Sequence, residues 1–389
     1  MAEKKNKNGE GCIALQKDGR WVARIQIGKK SDGRSKIKAL YGKSKTEVCI
    51  RLMEYKKELA LNQEGVTAMT VAEYITRWML LYKINTVSAS TYDRMENTFI
   101  YQIQDNIGYI KMGDLRTEDI QVFINQKCKT ISYSSIKKIK ELLNGCCIQA
   151  VRLGHMQQNP MEGIVMPNMK AVEKKTKEIQ IYSDEDIAKL QETINSSFNS
   201  VIKLYAYSPS YILVFSTGLR LGEVLGLTWD NVNFEERYIV VKNNVTYTKK
   251  RNANADKQRE LVITTPKTRS GRRMIPLNEK AMDALVELKR RYKVLNIESE
   301  YVVCNLKGNL LLPRNHARTL KSLCDRADVT YRGVHAIRHT FASRVIRMGI
   351  EIKIVSELMG HSNVQITYNT YVHILQEQRV KAIKELDKL

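Results

Sequence analysis

The spacing of apolar residues changes twice along this chain, and no single layer of structure accommodates both changes. Over residues 12–41 the period is two. Ile13 and Leu15 precede Asp18-Gly19, a hairpin signal, and Trp21, Ala23, Ile25 and Ile27 then alternate with Val22, Arg24 and Gln26. A third run, Ile37 to Tyr41, follows Asp32-Gly33. Residues 44–61 carry a helical pattern behind Ser44, with Glu47 three residues on as in a capping box. From Met69 to about Ile164 the period is helical throughout: Val71, Tyr74, Ile75 and Trp78 share a face, and further helices are expected over Ser90 to Ile103, Thr117 to Lys127 and Ser132 to Leu153. Pro160 and Pro167 break that pattern, and the charged stretch Lys170 to Lys177 reads as a linker. Beyond Ile179 the pattern is mixed. Helices over Ser183 to Thr193 and Tyr207 to Phe215 come before strands at Arg237–Val241, Leu261–Thr265 and Arg273–Pro276, and helices resume near Glu279. The expectation is a multidomain α+β protein. Residues 1–65 form a three-stranded sheet plus helix, 66–168 an all-helical bundle, 169–180 a linker, and 181–389 a mixed, mainly helical domain with a small antiparallel sheet.

Charge narrows the partners. The 389 residues carry a formal net charge of +23, which points to a polyanion. Residues 1–60 hold 16 Lys/Arg against 7 Asp/Glu, so the excess is dense there but not confined to a tail. Arg20, Arg24, Lys29 and Lys30 are the candidate DNA contacts of a basic sheet face. Eighteen consecutive apolar residues occur nowhere, and the N-terminus opens on Met1-Ala2-Glu3-Lys4-Lys5, so neither a membrane span nor a secretory signal is expected and the chain is placed in the cytoplasm. The seven cysteines form no CxxC pair, which argues for reduced thiols and against zinc. Cys146 and Cys147 fall in an apolar helical stretch and read as packing residues.

Five segments of the last domain belong together. In Thr217-Gly218-Leu219-Arg220-Leu221-Gly222-Glu223, the glycine lets the chain turn into a helix that begins at Arg220, and Glu223 one turn on can orient the guanidinium. Lys267 lies in Thr265-Pro266-Lys267-Thr268, read as a turn between two strands. His335 and Arg338 are three apart and share a helix face, with Ile337 and Phe341 turned inward; His339 is read as structural, pointing away from that face. His361 follows Gly360 at a helix end, and Tyr371 precedes Val372-His373.

Two guanidinium forks suit the non-bridging oxygens of one phosphodiester and bind more tightly as charge grows in the transition state. A tyrosine, with a phenol pKa near ~10, becomes a nucleophile when a neighbouring base takes its proton. A histidine fits that task, and a lysine can protonate the leaving 5′ oxygen. The carboxylates form no cluster suited to two metal ions, so no metal and no cofactor is expected.

This ordered set resembles the tyrosine recombinase (phage integrase) family, whose signature is an Arg in a TGLRxxE segment, a β-turn Lys, HxxR, GH followed by Ser or Trp, and a Tyr followed by x-His. The resemblance implies Arg220 and Arg338 on the phosphate, Lys267 as general acid, and His335 as proton acceptor or transition-state donor. It implies His361 as a phosphate hydrogen-bond donor, Glu223 as a supporting acid and Tyr371 as the nucleophile, with Tyr368 as the competing candidate. It also implies a SAM-like fold for the helical bundle, which would grip core-type sites, and an arm-type DNA-binding role for the N-terminal sheet. That is the plan of integrases from phages and integrative conjugative elements. Four protomers would act on two DNA partners through a 3′-phosphotyrosyl bond and a Holliday junction, on nucleoid DNA, with an excisionase and a host DNA-bending protein as candidate partners. The rival readings are a type IB topoisomerase-like enzyme, a non-catalytic DNA-binding protein on the same scaffold, and a basic RNA- or ribosome-binding protein. A last helix over Gln376 to Leu389 carries Val380, Ile383 and Leu386 on one side and is expected to pack either on its own domain or on a neighbouring protomer.

Overall fold

A computed structural model describes residues 12–16, 18–29, 35–61, 68–174, 179–198, 205–251, 259–265 and 271–386. The chain divides into two compact units, residues 1–176 with 248–259, and residues 177–247 with 260–389.

In the first unit β1 (Cys12–Leu15), β2 (Trp21–Lys29) and β3 (Ser35–Gly42) form an antiparallel sheet in the order β1-β2-β3. α1 (Lys45–Leu61) begins behind Ser44, whose hydroxyl accepts from the Glu47 amide at 3.1 Å while Glu47 takes the Lys43 amide at 2.7 Å. A small core of Ala23, Ile25, Val48 and Leu52 joins sheet and helix. Arg24 sits on the opposite face, as the alternation requires.

The helical part runs through α2 (Val71–Trp78), α3 (Ala89–Thr98), α4 (Thr117–Lys127) and α5 (Tyr133–Arg152). Val71, Tyr74, Ile75 and Trp78 are buried together, and Thr70 with Glu73 closes a capping box ahead of them. A π-turn, Phe99–Ile103, continues α3, so the helical stretch expected to reach Ile103 does so with changed geometry. Cys146 and Cys147 lie in this core with Ile136, Ile139 and Leu143. Val172, within the expected linker, packs into the same core.

The second unit opens on α6 (Asp184–Ser196), capped by Ser183 with Asp186, then α7 (Pro209–Thr217) and the short α8 (Leu221–Leu225). Its strands divide differently from expectation. β4 (Val232–Asn233), β5 (Tyr238–Val241) and β8 (Arg273–Pro276) form one antiparallel sheet, while β6 (Asn244–Lys249), absent from the sequence reading, pairs with β7 (Arg259–Thr264) in a second. Lys267 falls between β7 and β8 in sequence and lies outside the described residues. α9 (Glu279–Val294), α10 (Pro313–Arg326), α11 (Val334–Arg347), α12 (Ile352–Met359) and α13 (Val364–Leu386) complete the unit. The last helix does not start afresh at Gln376: it is the continuation of the helix that carries Tyr371, with a kink at that residue (φ −117°, ψ 18°). Among the described residues, no helix is long and apolar enough to cross a membrane.

Candidate active site

The site begins where α7 stops. Gly218 holds a left-handed conformation (φ 66°), and a Cβ there would also collide with the Phe341 ring, so glycine is required twice over. Arg220 follows in extended conformation as the residue capping α8. Its amide donates to Glu223 Oε2 at 2.8 Å and its Nη1 to Glu223 Oε1 at 2.7 Å. Glu223, 4% exposed, also accepts from Arg273 through Nη1 at 3.1 Å and Nη2 at 2.9 Å. Burial works against the carboxylate's charge, but the bonds from Arg273 and then the charge of Arg220 outweigh it and bring its pKa down to about 2.

Three arginines from three elements converge on one helix end. The last turn of α12 leaves carbonyls without intrahelical partners. Arg273 Nε donates to Leu358 O at 2.7 Å, Arg338 Nη2 to Met359 O at 2.5 Å and Arg220 Nη2 to Gly360 O at 2.9 Å. The negative pole of the helix favours these cations as well. Gly360 ends the helix in the left-handed region (φ 61°), which turns His361 back toward Arg338 at an Nη2–Nε2 distance of 3.1 Å. Arg338 is also tied to Gly218 O at 2.6 Å, so it fixes the end of α7 against the end of α12. Desolvation, then Arg220, oppose the Arg338 charge and Glu223 supports it; a guanidinium nonetheless keeps its proton at any working pH.

His361 Nδ1 lies 2.7 Å from Thr367 Oγ1, a fully buried hydroxyl on α13. A guanidinium only donates, so Nε2 of His361 accepts from Arg338 here and Nδ1 carries the proton toward Thr367. A hydroxyl can reverse its role, so Thr367 also supports the tautomer with a proton on Nε2. Desolvation, then Arg338, lower the His361 pKa to about 4, which keeps the ring neutral near pH 7.

Tyr371 is fully buried among Phe341, Met359 and Ile374, and burial raises its phenol pKa. Its hydroxyl lies 2.8 Å from His339 Nδ1. His339 in turn meets His335 edge to face, with ring centroids 4.7 Å apart. His339 therefore does not point away from the site, as the sequence led one to expect, but meets Tyr371 and His335. Four residues on from His335, it lies only about 40° from it around the helix, so the two rings meet along one face; the i,i+4 spacing was the missed signal. Arg273 had a signal too: in β8 it alternates onto the face of buried Ile275 while Met274 is exposed, and a basic residue at an inward strand position needs a partner. Thr367, one turn before Tyr371, had none.

Of the residues singled out by sequence, Arg220, Glu223, Arg338 and His361 are joined directly by hydrogen bonds or through the α12 carbonyls. His335 is exposed beside them, its pKa lowered by desolvation and then by Arg338 and Arg220. Tyr368 stays partly exposed, 3.4 Å from Arg379 Nη2 and not at a histidine. In the N-terminal sheet Arg20 is paired with Asp18 at 2.6 Å, Arg24 is exposed and Lys29 ends β2; Lys30 lies outside the described residues.

Residues 180–378 match the phage integrase family, and residues 70–128 match the phage integrase N-terminal SAM-like domain. The chain belongs to the phage integrase family. A tyrosine recombinase XerC-like protein of Caldanaerobacter subterraneus subsp. tengcongensis is 29% identical over the full length of both chains. The transposase from transposon Tn916 of Enterococcus faecalis is 25% identical, over 73% of this chain and 70% of its own. Among solved structures, the Tn1549 transposon integrase in complex with transposon right end DNA superposes with a TM-score of 0.65 at 22% identity, over 82% of this chain and all of the other. A lambda integrase tetramer bound to a Holliday junction gives 0.52 at 15% identity, over 90% of this chain and 95% of that one. This integrase-family chain thus shares the α+β fold of those recombinases.

Proposed function

We propose that this chain is the integrase of a mobile element, cutting and rejoining double-stranded DNA at specific sites through a 3′-phosphotyrosyl bond to Tyr371. One observation carries the reading: a buried tyrosine hydroxyl held by an imidazole, in a core shared with a helix end that gathers Arg220, Arg338 and His361. Arg220 and Arg338 clamp the scissile phosphate, and their bonds to it strengthen as the pentacovalent transition state gains charge. His361, in its Nε2–H tautomer with Thr367 donating to Nδ1, gives the phosphate a further hydrogen bond. His335 acts beside it as proton acceptor or transition-state donor, Lys267 protonates the leaving 5′ oxygen, and Glu223 with Arg273 keeps Arg220 in place. The diester energy is kept in the phosphotyrosyl bond, so rejoining needs no ATP. Because guanidinium groups provide the charge, cleavage is expected to persist in EDTA.

In this reading residues 181–389 and the helical domain over 66–168 grip core-type sites, and residues 1–65 grip arm-type sites. Four protomers assemble on two DNA partners and pass through a Holliday junction, acting on nucleoid DNA in the bacterial cytoplasm, with an excisionase and a host DNA-bending protein biasing direction. Val380 and Ile383, both exposed on the end of α13, support docking of that end on a neighbouring protomer. The test is a nicked duplex carrying the element end, with a denaturing gel read for a covalent protein–DNA band. The wild-type chain and Tyr368→Phe are expected to give the band and Tyr371→Phe to lose it while still binding DNA. Exchange of the last two results would overturn the assignment.

A further inference from the structure

We propose that His339 is the catalytic base that takes the Tyr371 proton, a role the family signature does not give it; the proposal rests on the recombinase reading above. Within this site it is His339, and not His335 of the signature, whose ring nitrogen meets the attacking oxygen, at 2.8 Å between Nδ1 and the Tyr371 hydroxyl. That is hydrogen-bond distance for direct proton transfer.

The surroundings fit the task. The hydroxyl is buried away from water, so a proton leaving it passes to a side chain and not to solvent. Desolvation, then His335 and Arg338, lower the His339 pKa to about 4, so the ring is neutral near pH 7 and has a nitrogen lone pair to offer. The Arg338 charge thus disfavours an imidazolium before DNA arrives. A bound phosphodiester supplies a negative charge opposite Arg338, which weakens that repulsion and lets His339 accept a proton as the Tyr371 oxygen closes on phosphorus. His335, whose ring meets His339 edge to face, keeps that ring in line along the helix face.

The step balances without a co-reactant. The Tyr371 oxygen–phosphorus bond forms and the phosphorus–5′ oxygen bond breaks. The phenol proton moves to His339 Nδ1, and the 5′ oxygen leaves with a proton from Lys267. In rejoining, the imidazolium returns its proton to the departing phenolate.

The experiment measures single-turnover cleavage of the nicked duplex by the full chain. His339→Asn is expected to lower the rate by about 10²-fold or more, the usual contribution of a positioned base, with DNA affinity unchanged; His339→Gln provides a second variant should the first lose its fold. Two substitutions separate a base from other roles. Replacing Tyr371 by a difluorinated tyrosine, whose phenol is more acidic, should recover about 10-fold or more of the His339→Asn loss. A 5′-bridging phosphorothiolate, whose thiolate leaves without a proton, should rescue Lys267→Ala but leave the His339→Asn defect in place. Cleavage by His339→Asn at the wild-type rate or faster would overturn the proposal, as would rescue by the phosphorothiolate or a lack of response to the fluorinated tyrosine. Failure of the wild-type chain itself to form an adduct would overturn the recombinase reading and this step together.

Discussion

Two basic regions of this chain use their arginines in opposite ways. In the N-terminal sheet, Arg20 keeps 64% of its side chain in solvent beside Asp18, and Arg24 is exposed. In the catalytic unit, Arg338 is 2% exposed and the Arg273 side chain 7%, each tied to carbonyl or carboxylate oxygens that the fold supplies. Exposed charges are screened within about 10 Å at 0.1 M salt, so they confer affinity that salt removes. Buried, bonded guanidinium groups need little reorganisation when charge develops nearby, which is what a transition state requires. The sheet region is suited to holding on; the helix-end cluster is suited to chemistry.

The comparison breaks most readily at Arg220, the arginine of the cluster that keeps 35% of its side chain exposed. Arg220→Ala is expected to slow single-turnover cleavage by about 10²–10³-fold, with little change in DNA affinity measured by gel shift. A loss of affinity matching the loss of rate would make Arg220 a holding residue after all. Glu223→Ala removes the shared partner of Arg220 and Arg273, and loss of one member of a buried charge pair typically costs about 3–5 kcal/mol. Denaturant unfolding should show that loss in the isolated catalytic domain or, if that does not fold alone, in the transition of the full chain.

Acid should act on the same unit. His339 and His361 are held near a pKa of about 4, against 6.5 for a free imidazole. The unfolded chain therefore binds protons that the folded one refuses, and stability should fall as pH drops from about 6.5 to about 4, then level off for these groups. Replacing both by Gln should flatten that part of the profile in thermal melts across the window. Glu223 acts lower: its stabilisation is complete above about pH 4.5 and disappears as pH falls toward 2. The smallest effect is expected in the sheet. Arg24→Ala should weaken arm-site binding uniformly across sequences and reduce the salt slope by about 1, with no change in cleavage of core-type sites. A change in cleavage rate there would erase the division between the two regions.

Much of the architecture follows from local pattern. The buried face of α2 is the set Val71, Tyr74, Ile75 and Trp78, and α4 runs from Thr117 to Lys127, as period and capping dictate. Turn chemistry likewise placed Arg220 after Gly218 and His361 after Gly360. What local pattern missed is a matter of pairing. β6 has a weakly apolar sequence, Asn-Val-Thr-Tyr-Thr-Lys, and becomes a strand by pairing with β7; once it does, β8 is left to pair with β5 across a long separation. The tail reads in the sequence as a separate helix because a helix that kinks at Tyr371 breaks its own periodicity.

Local motifs specify which side chains are available for chemistry, because a phosphate clamp and a phenolic nucleophile would need particular residue types, and glycine is needed wherever the chain must enter the left-handed region to present them. Which groups touch is a matter of packing. Arg220 reaches Gly360 across 140 positions of sequence, Arg338 reaches Gly218 across 120 and Arg273 reaches Glu223 across 50. The unpaired carbonyls at the end of α12 exist only as a consequence of helix geometry, and they accept whichever donors the packing of α7, α8, β8 and α11 delivers. The same packing, by burying Tyr371 against α11, set its hydroxyl on His339. Hydrogen-bond partners are chosen by proximity in space, and spacing along a chain fixes that proximity only within one helix turn or one strand pair.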